Sequence, residues 1–127
     1  MALLPLNQFK TKTAVISTST TATVYTAPIG VTSIVLMTQL TNISTQTHTV
    51  TFEHYRNLPV LPDAQGNGAQ SSSTVTRLVQ NYAIPAADAA SLTMGKLIIE
   101  SLDSVRCYAD APGVFNLTLS ILETANA

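Results

Sequence analysis

Polar and apolar residues alternate along most of this chain. In Thr47-His48-Thr49-Val50-Thr51-Phe52-Glu53, a β-branched polar residue is set against an apolar one at every second position. A period of two sends successive side chains to opposite faces, so the pattern predicts a strand with one wet face and one dry face. It recurs often enough to predict about eight strands. Phe9 to Ile16 is the first, with Lys10 and Lys12 expected to point outward, as on an edge strand. Ala22 to Ala27 is the second, closed by Ala27-Pro28-Ile29-Gly30, where Pro fixes one turn dihedral and Gly allows the reversal. Val31 to Asn42 is apolar on both alternating sets (Ile34, Leu36 and Leu40 against Val35 and Met37), which predicts a central strand or one covered by a partner. Thr47 to Tyr55 is expected to pair with it by a hairpin over Asn42-Ile43-Ser44-Thr45-Gln46, with Val50 and Phe52 inward and Thr49, Thr51 and Glu53 outward. Thr74 to Ile84, Lys96 to Glu100, Ser104 to Ala109 and Val114 to Leu122 complete the set. The last is the clearest, with Phe115, Leu117, Leu119 and Ile121 on one face. Ala86-Ala87-Asp88-Ala89-Ala90-Ser91 alone has helix propensity, and it is long enough only for a turn or one helical loop.

Many short strands with turn signals between them predict an all-β fold, an antiparallel β-sandwich. With about eight strands, a jelly roll is the leading topology and an immunoglobulin-like order the alternative. The chain has 127 residues, enough for one domain with its own core. An N-terminal arm is expected over 1–9 and a single sandwich domain over 10–124, with a long loop at 56–73. Such loops are uncommon in compact domains and are usually functional or disordered. Its first half carries prolines and the aliphatics Leu58, Val60 and Leu61, suited to docking on a neighbour. Its second half is rich in Gly, Ser and Gln and reads as flexible. A tolerated surface insertion is the competing reading, because long loops cost little in closure entropy. In the arm, Leu3, Leu4, Leu6 and Phe9 are apolar and precede the first strand. They would suit a segment laid across a neighbouring subunit, or one folded back over its own sandwich.

Composition narrows the function. Thr and Ser make up about a quarter of the chain, the charged fraction is only 10% and the formal net charge is −1. Ordinary domains are about a quarter charged, so this surface is poorly protected against self-association. Much of it is therefore expected to be covered in the working state. The basic residues Lys10, Lys12, Arg56, Arg77, Lys96 and Arg106 are scattered, which gives no footprint for nucleic acid. The N-terminus lacks a cationic region and is interrupted by Pro5, so it does not read as a signal peptide. No apolar run approaches the ~20 residues of a membrane span. The expected product is soluble and stays inside the cell that makes it unless released by lysis.

Candidate chemistry is sparse. Cys107 is the sole cysteine, and with Val105 and Ala109 on its strand face it reads as a small buried hydrophobe. His48 and His54 share a strand face but lie roughly 20 Å apart, too far to bind one metal ion. Asp88, Glu100, Asp103 and Asp110 have no motif spacing. Gly66-Asn67-Gly68 and Met94-Gly95-Lys96 lack the context of a phosphate-binding loop. Tyr25, Tyr55, Tyr82 and Tyr108 are scattered over the predicted strands, as ordinary packing would scatter them. No catalytic, cofactor-binding or metal-binding residue is expected, no cofactor is implied, and the chain does not read as an enzyme.

The segment Val24-Tyr25-Thr26-Ala27-Pro28-Ile29-Gly30-Val31-Thr32-Ser33-Ile34-Val35 resembles a recurring opening in small virion proteins of tailed bacteriophages, marine cyanophages in particular. In those proteins a strand, a Pro-x-Gly turn and a long apolar strand ending in Asn, here Asn42, are followed by a further strand. Leu97-Ile98-Ile99-Glu100-Ser101-Leu102-Asp103-Ser104-Val105 is similar to their later block, and Asn116-Leu117-Thr118-Leu119-Ser120-Ile121-Leu122-Glu123 to their close. Leu102 departs from the pattern, which has Gly before the Asp, and so that turn is expected to be tighter or built differently. The resemblance implies a structural protein of the virion, assembled in the host cytoplasm, with other virion proteins as partners and no role for nucleic acid or membrane. A capsid decoration protein bracing the major capsid protein is the leading expectation. A neck, tail or fibre component, forming symmetric homo-oligomers, is second. A carbohydrate-binding or host-recognition module is third, and weak without Trp.

Overall fold

Nine strands and no helix make up residues 7–16, 21–57 and 73–125, the parts of the chain described by the computed structural model. They are β1 (Asn7–Ile16), β2 (Ala22–Thr26), β3 (Val31–Asn42), β4 (His48–Arg56), β5 (Thr74–Ile84), β6 (Ala89–Ala90), β7 (Leu97–Ile99), β8 (Ser104–Ala109) and β9 (Phe115–Ala125). Two antiparallel sheets pack as a sandwich. The first runs β1-β9-β3-β6, with β7 also paired to β3, and the second runs β2-β8-β4-β5. Alternation explains the core between them. Phe115, Leu117, Leu119 and Ile121 of β9 and Val35 and Leu40 of β3 face Val50 and Phe52 of β4 and Val105, Cys107 and Ala109 of β8, all buried.

The register corrects two expectations. The β3–β4 hairpin is not formed. β4 lies in the second sheet between β8 and β5, because both edges of β3 are taken, one by β9 and the other by β6 and β7. Residues 43–47 therefore cross between the sheets, and fully buried Asn42 builds the corner. Its Nδ2 donates to the carbonyls of Gln46 and Ile84, and its Oδ1 accepts from the backbone N–H and the hydroxyl of Ser44.

The lysines of β1 face inward. Lys10 and Lys12 pair directly with Ile121 and Leu119, whose side chains form the core face, and directly paired residues share a face. At the open edge of the sandwich a Lys stem lies along the inner face while its ammonium reaches water. An inward-pointing charge on an edge strand also deters another strand from adding to it.

Of the turn or helical loop expected over 86–91, the turn is what forms. Residues 85–88 make a tight turn, with the Asp88 N–H donating to the Pro85 carbonyl, and the two-residue β6 follows. The sandwich begins at Asn7, so the last residues of the expected arm, Phe9 among them, belong to β1. Leu3, Leu4, Leu6, Leu58, Val60 and Leu61 lie outside the described residues.

Candidate functional site

Three polar clusters carry most of the ionisable groups, and in each the groups hold one another. The first ties the sheets together. Glu123 of β9 accepts from the Tyr25 hydroxyl of β2 and meets Lys10 Nζ at 3.0 Å, while the Tyr25 hydroxyl also lies 2.7 Å from Ser33 Oγ of β3. Burial alone would raise the Glu123 carboxyl. The hydrogen bonds from Tyr25 and Lys10 and the Lys10 charge outweigh it, leaving the group below its ordinary value. Burial, reinforced by the Glu123 contact, pushes the Tyr25 phenol up to about 12.

The second cluster sits where the 58–72 segment leaves the sandwich. Buried Asp103 accepts the Asn57 N–H at Oδ1, 2.9 Å away. Its Oδ2 faces Arg56 Nε at 3.4 Å and His54 Nε2 at 3.9 Å, and Arg56 also pairs with Glu100. His54 titrates below its usual value, chiefly because burial disfavours the imidazolium. The Asp103 charge opposes that effect and the Arg56 charge adds to it. The third cluster lies on the outer face of the second sheet. There Arg77 Nε donates to Glu53 at 3.2 Å, and the Arg106 guanidinium stacks 3.7 Å from the centre of the Tyr55 ring.

The two histidines occupy opposite ends of β4, each with its own carboxylate. His48 Nδ1 lies 2.8 Å from Asp110 Oδ1, and His54 faces Asp103. Among the described residues, no group of three or more His, Cys, Asp or Glu could hold a metal ion. Cys107 is fully buried between the sheets, and burial and then the Glu53 charge raise its thiol to about 12, which disfavours the thiolate. Among the described residues, no helix is long and apolar enough to cross a membrane.

The surfaces differ sharply in charge. On the outer face of the first sheet the registers align side chains in five rows across the strands: Asn7–Thr124–Thr32, Phe9–Leu122–Ile34–Ile98, Thr11–Ser120–Met37, Thr13–Thr118–Gln39 and Val15–Asn116–Thr41–Ala89. No row contains an Asp, Glu, Lys or Arg. The second row is wholly apolar, with Phe9 75% and Ile98 58% exposed. Of the residues expected to meet a partner, the described ones include Phe9, which stands on this face with Ile34, Ile98 and Leu122 in the same row. These three were hidden in the sequence because alternation assigns residues to a face without saying which residues of other strands stand next to them. A cleft of about 670 Å³ opens at the far edge of the sandwich, between β5 and residues 91–97, lined by Leu78, Tyr82, Leu92, Met94, Lys96 and Leu97.

Fold and surfaces together define an antiparallel two-sheet β-sandwich with one uncharged sheet face. The chain matches no protein-family model, no curated protein and no solved structure.

Proposed function

We propose that this chain is a non-enzymatic structural protein of a phage virion, a decoration protein that braces the major capsid lattice. The observation that carries the reading is the uncharged outer face of the first sheet, with its exposed apolar row, on a domain whose described ionisable groups are largely engaged in holding the fold. A binding protein of this kind works by shape, with apolar patches rimmed by Thr and Ser. The winding of the chain supports it further. If β6 and β7 count as one interrupted strand, the sheets read 1-9-3-(6,7) and 2-8-4-5, the order of an eight-stranded jelly roll. That fold is common among capsid proteins, and the likeness is one of architecture alone.

The test is the copy number of this chain in purified particles, by quantitative mass spectrometry against the major capsid protein. Hundreds of copies per particle are expected of a lattice decoration. A handful to a few dozen would move the chain to the neck, tail or fibres, and the lattice-bracing mechanism would be dropped. Absence from the particle would end the virion reading altogether.

A further inference from the structure

We infer that the outer face of the first sheet is a self-association surface, on which a second copy of this chain packs face to face. The first argument is charge. Every charged side chain among the described residues lies off the five outward rows: on the inner face of the sandwich, on the second sheet, or in the connecting segments. An ordinary exposed sheet face of this size would carry several charges, since about a quarter of residues are charged. A nucleic acid or a charged protein surface laid here would lose hydration without gaining a partner charge. An identical face brings no charge, so neither copy leaves one unpaired.

The second argument is the shape of the apolar row. Phe9, Leu122, Ile34 and Ile98 come from four different strands and stand directly opposite one another, pair by pair, in a line across the sheet. A two-fold axis lying in the interface along that line returns the row onto itself, which is the requirement for an isologous contact. The flanking row supplies Met37 together with Thr11 and Ser120, whose hydroxyls can both donate and accept and therefore suit a self-complementary rim. Face-to-face packing of sheets about 10 Å apart is the ordinary way such rows interdigitate.

The third argument is area. Strands β1, β9 and β3 have 10, 11 and 12 residues. At about 3.3 Å per residue and about 4.8 Å between strands, with β6 and β7 along the edge, the face measures about 35 Å by about 15–19 Å. Side-chain relief raises that footprint toward the ~800 Å² per partner of a standard stable interface. The inference concerns the free chain in solution, where a second copy covers the face that a lattice contact would take over in a particle; it does not rest on the virion reading, and its failure leaves that reading to be judged by copy number.

Sedimentation equilibrium of the full chain tests it, with a dimer of twice 13.4 kDa expected across the micromolar range. The double variant F9E/I98E alters two exposed side chains and keeps the far-UV circular dichroism of the parent. Its dissociation constant is expected to rise by about a hundredfold or more, since each Glu would be buried without a partner. A second variant, Thr118→Lys in the central row, gives the same shift, whereas the control L78E/M94E in the cleft leaves the dimer intact. A parent chain that stays monomeric up to about 200 µM overturns the inference, and if deleting residues 2–6 then destabilises that monomer, the arm covers its own face. A dimer that survives both F9E/I98E and Thr118→Lys also overturns it.

Discussion

Leu102 shows most directly what one residue costs this fold. It occupies the third position of the turn Glu100-Ser101-Leu102-Asp103, which is closed by a 3.0 Å hydrogen bond from the Asp103 N–H to the Glu100 carbonyl, and its φ is +69°. A turn with positive φ at that position favours Gly, as in Pro28-Ile29-Gly30-Val31, where Gly30 has φ +75°. A branched side chain there carries a steric penalty of about 1–2 kcal/mol, partly offset because Gly loses more entropy on folding. Leu102→Gly is therefore expected to raise the free energy of unfolding by about 0.5–1 kcal/mol, measured by urea titration. His54 makes a second prediction at this scale. Its folded value lies below its unfolded one, so between the two the unfolded chain binds the extra proton. Stability is then expected to be full above about pH 6.5 and to fall as the pH drops from there toward the folded value. His54→Gln removes that limb of the profile. Glu123, also depressed, contributes stability that is present above about pH 4.3 and lost as pH falls through its lower folded value.

Among the elements, the edge of β3 away from β9 is the least regular. β7 pairs with Ser33–Val35 and β6 with Leu40–Thr41, and between them a bulge falls at Val35/Met37. The gap is filled by a side chain rather than by a strand. Buried Thr38 accepts the N–H groups of Leu92 and Thr93 at Oγ1, 2.9 and 3.1 Å away, and meets the Thr93 hydroxyl at 3.2 Å. This one hydroxyl pins the 91–96 excursion and so forms one wall of the cleft. Thr38→Val keeps the shape and removes the acceptor, leaving two amides short of a partner. A loss of about 1–3 kcal/mol is expected, with faster hydrogen exchange at Leu92 and Thr93 than at β9 amides.

For the whole molecule, the division of charge between the two sheets is the organising fact. The second sheet wears Glu53, Arg77 and Arg106 on its outer face, while the first wears none. A body with one solvated and one uncharged face is suited to lying between other protein surfaces. Deleting residues 2–6 is accordingly expected to leave the thermal midpoint of the isolated chain within about 2 °C of the parent, because the residues from Ile16 to Ile121 close a core between the two sheets by themselves. Incorporation into particles is expected to fall, read by the same mass-spectrometric ratio. A drop of many degrees in the midpoint would show that the arm is part of the domain.

The sequence alone determined the longer strands and the division of each into two faces. Period-two alternation is local, which is why Val114 to Leu122 and Val31 to Asn42 lie where their patterns put them. The burial of Cys107 was equally legible, since its strand neighbours are apolar. Tertiary structure alone decided which strands pair and which face of β1 is buried. Backbone hydrogen bonds do not depend on side-chain identity, so nothing within residues 42–55 says that β4 joins β8 rather than β3. In β1 both faces offer apolar residues, Phe9 and Val15 on one and Ala14 and Ile16 on the other. The choice went to the face of Ile16 because β9 sets its own core residues there, which carried Lys10 inward to Glu123 and left Phe9 on the outer face beside Leu122.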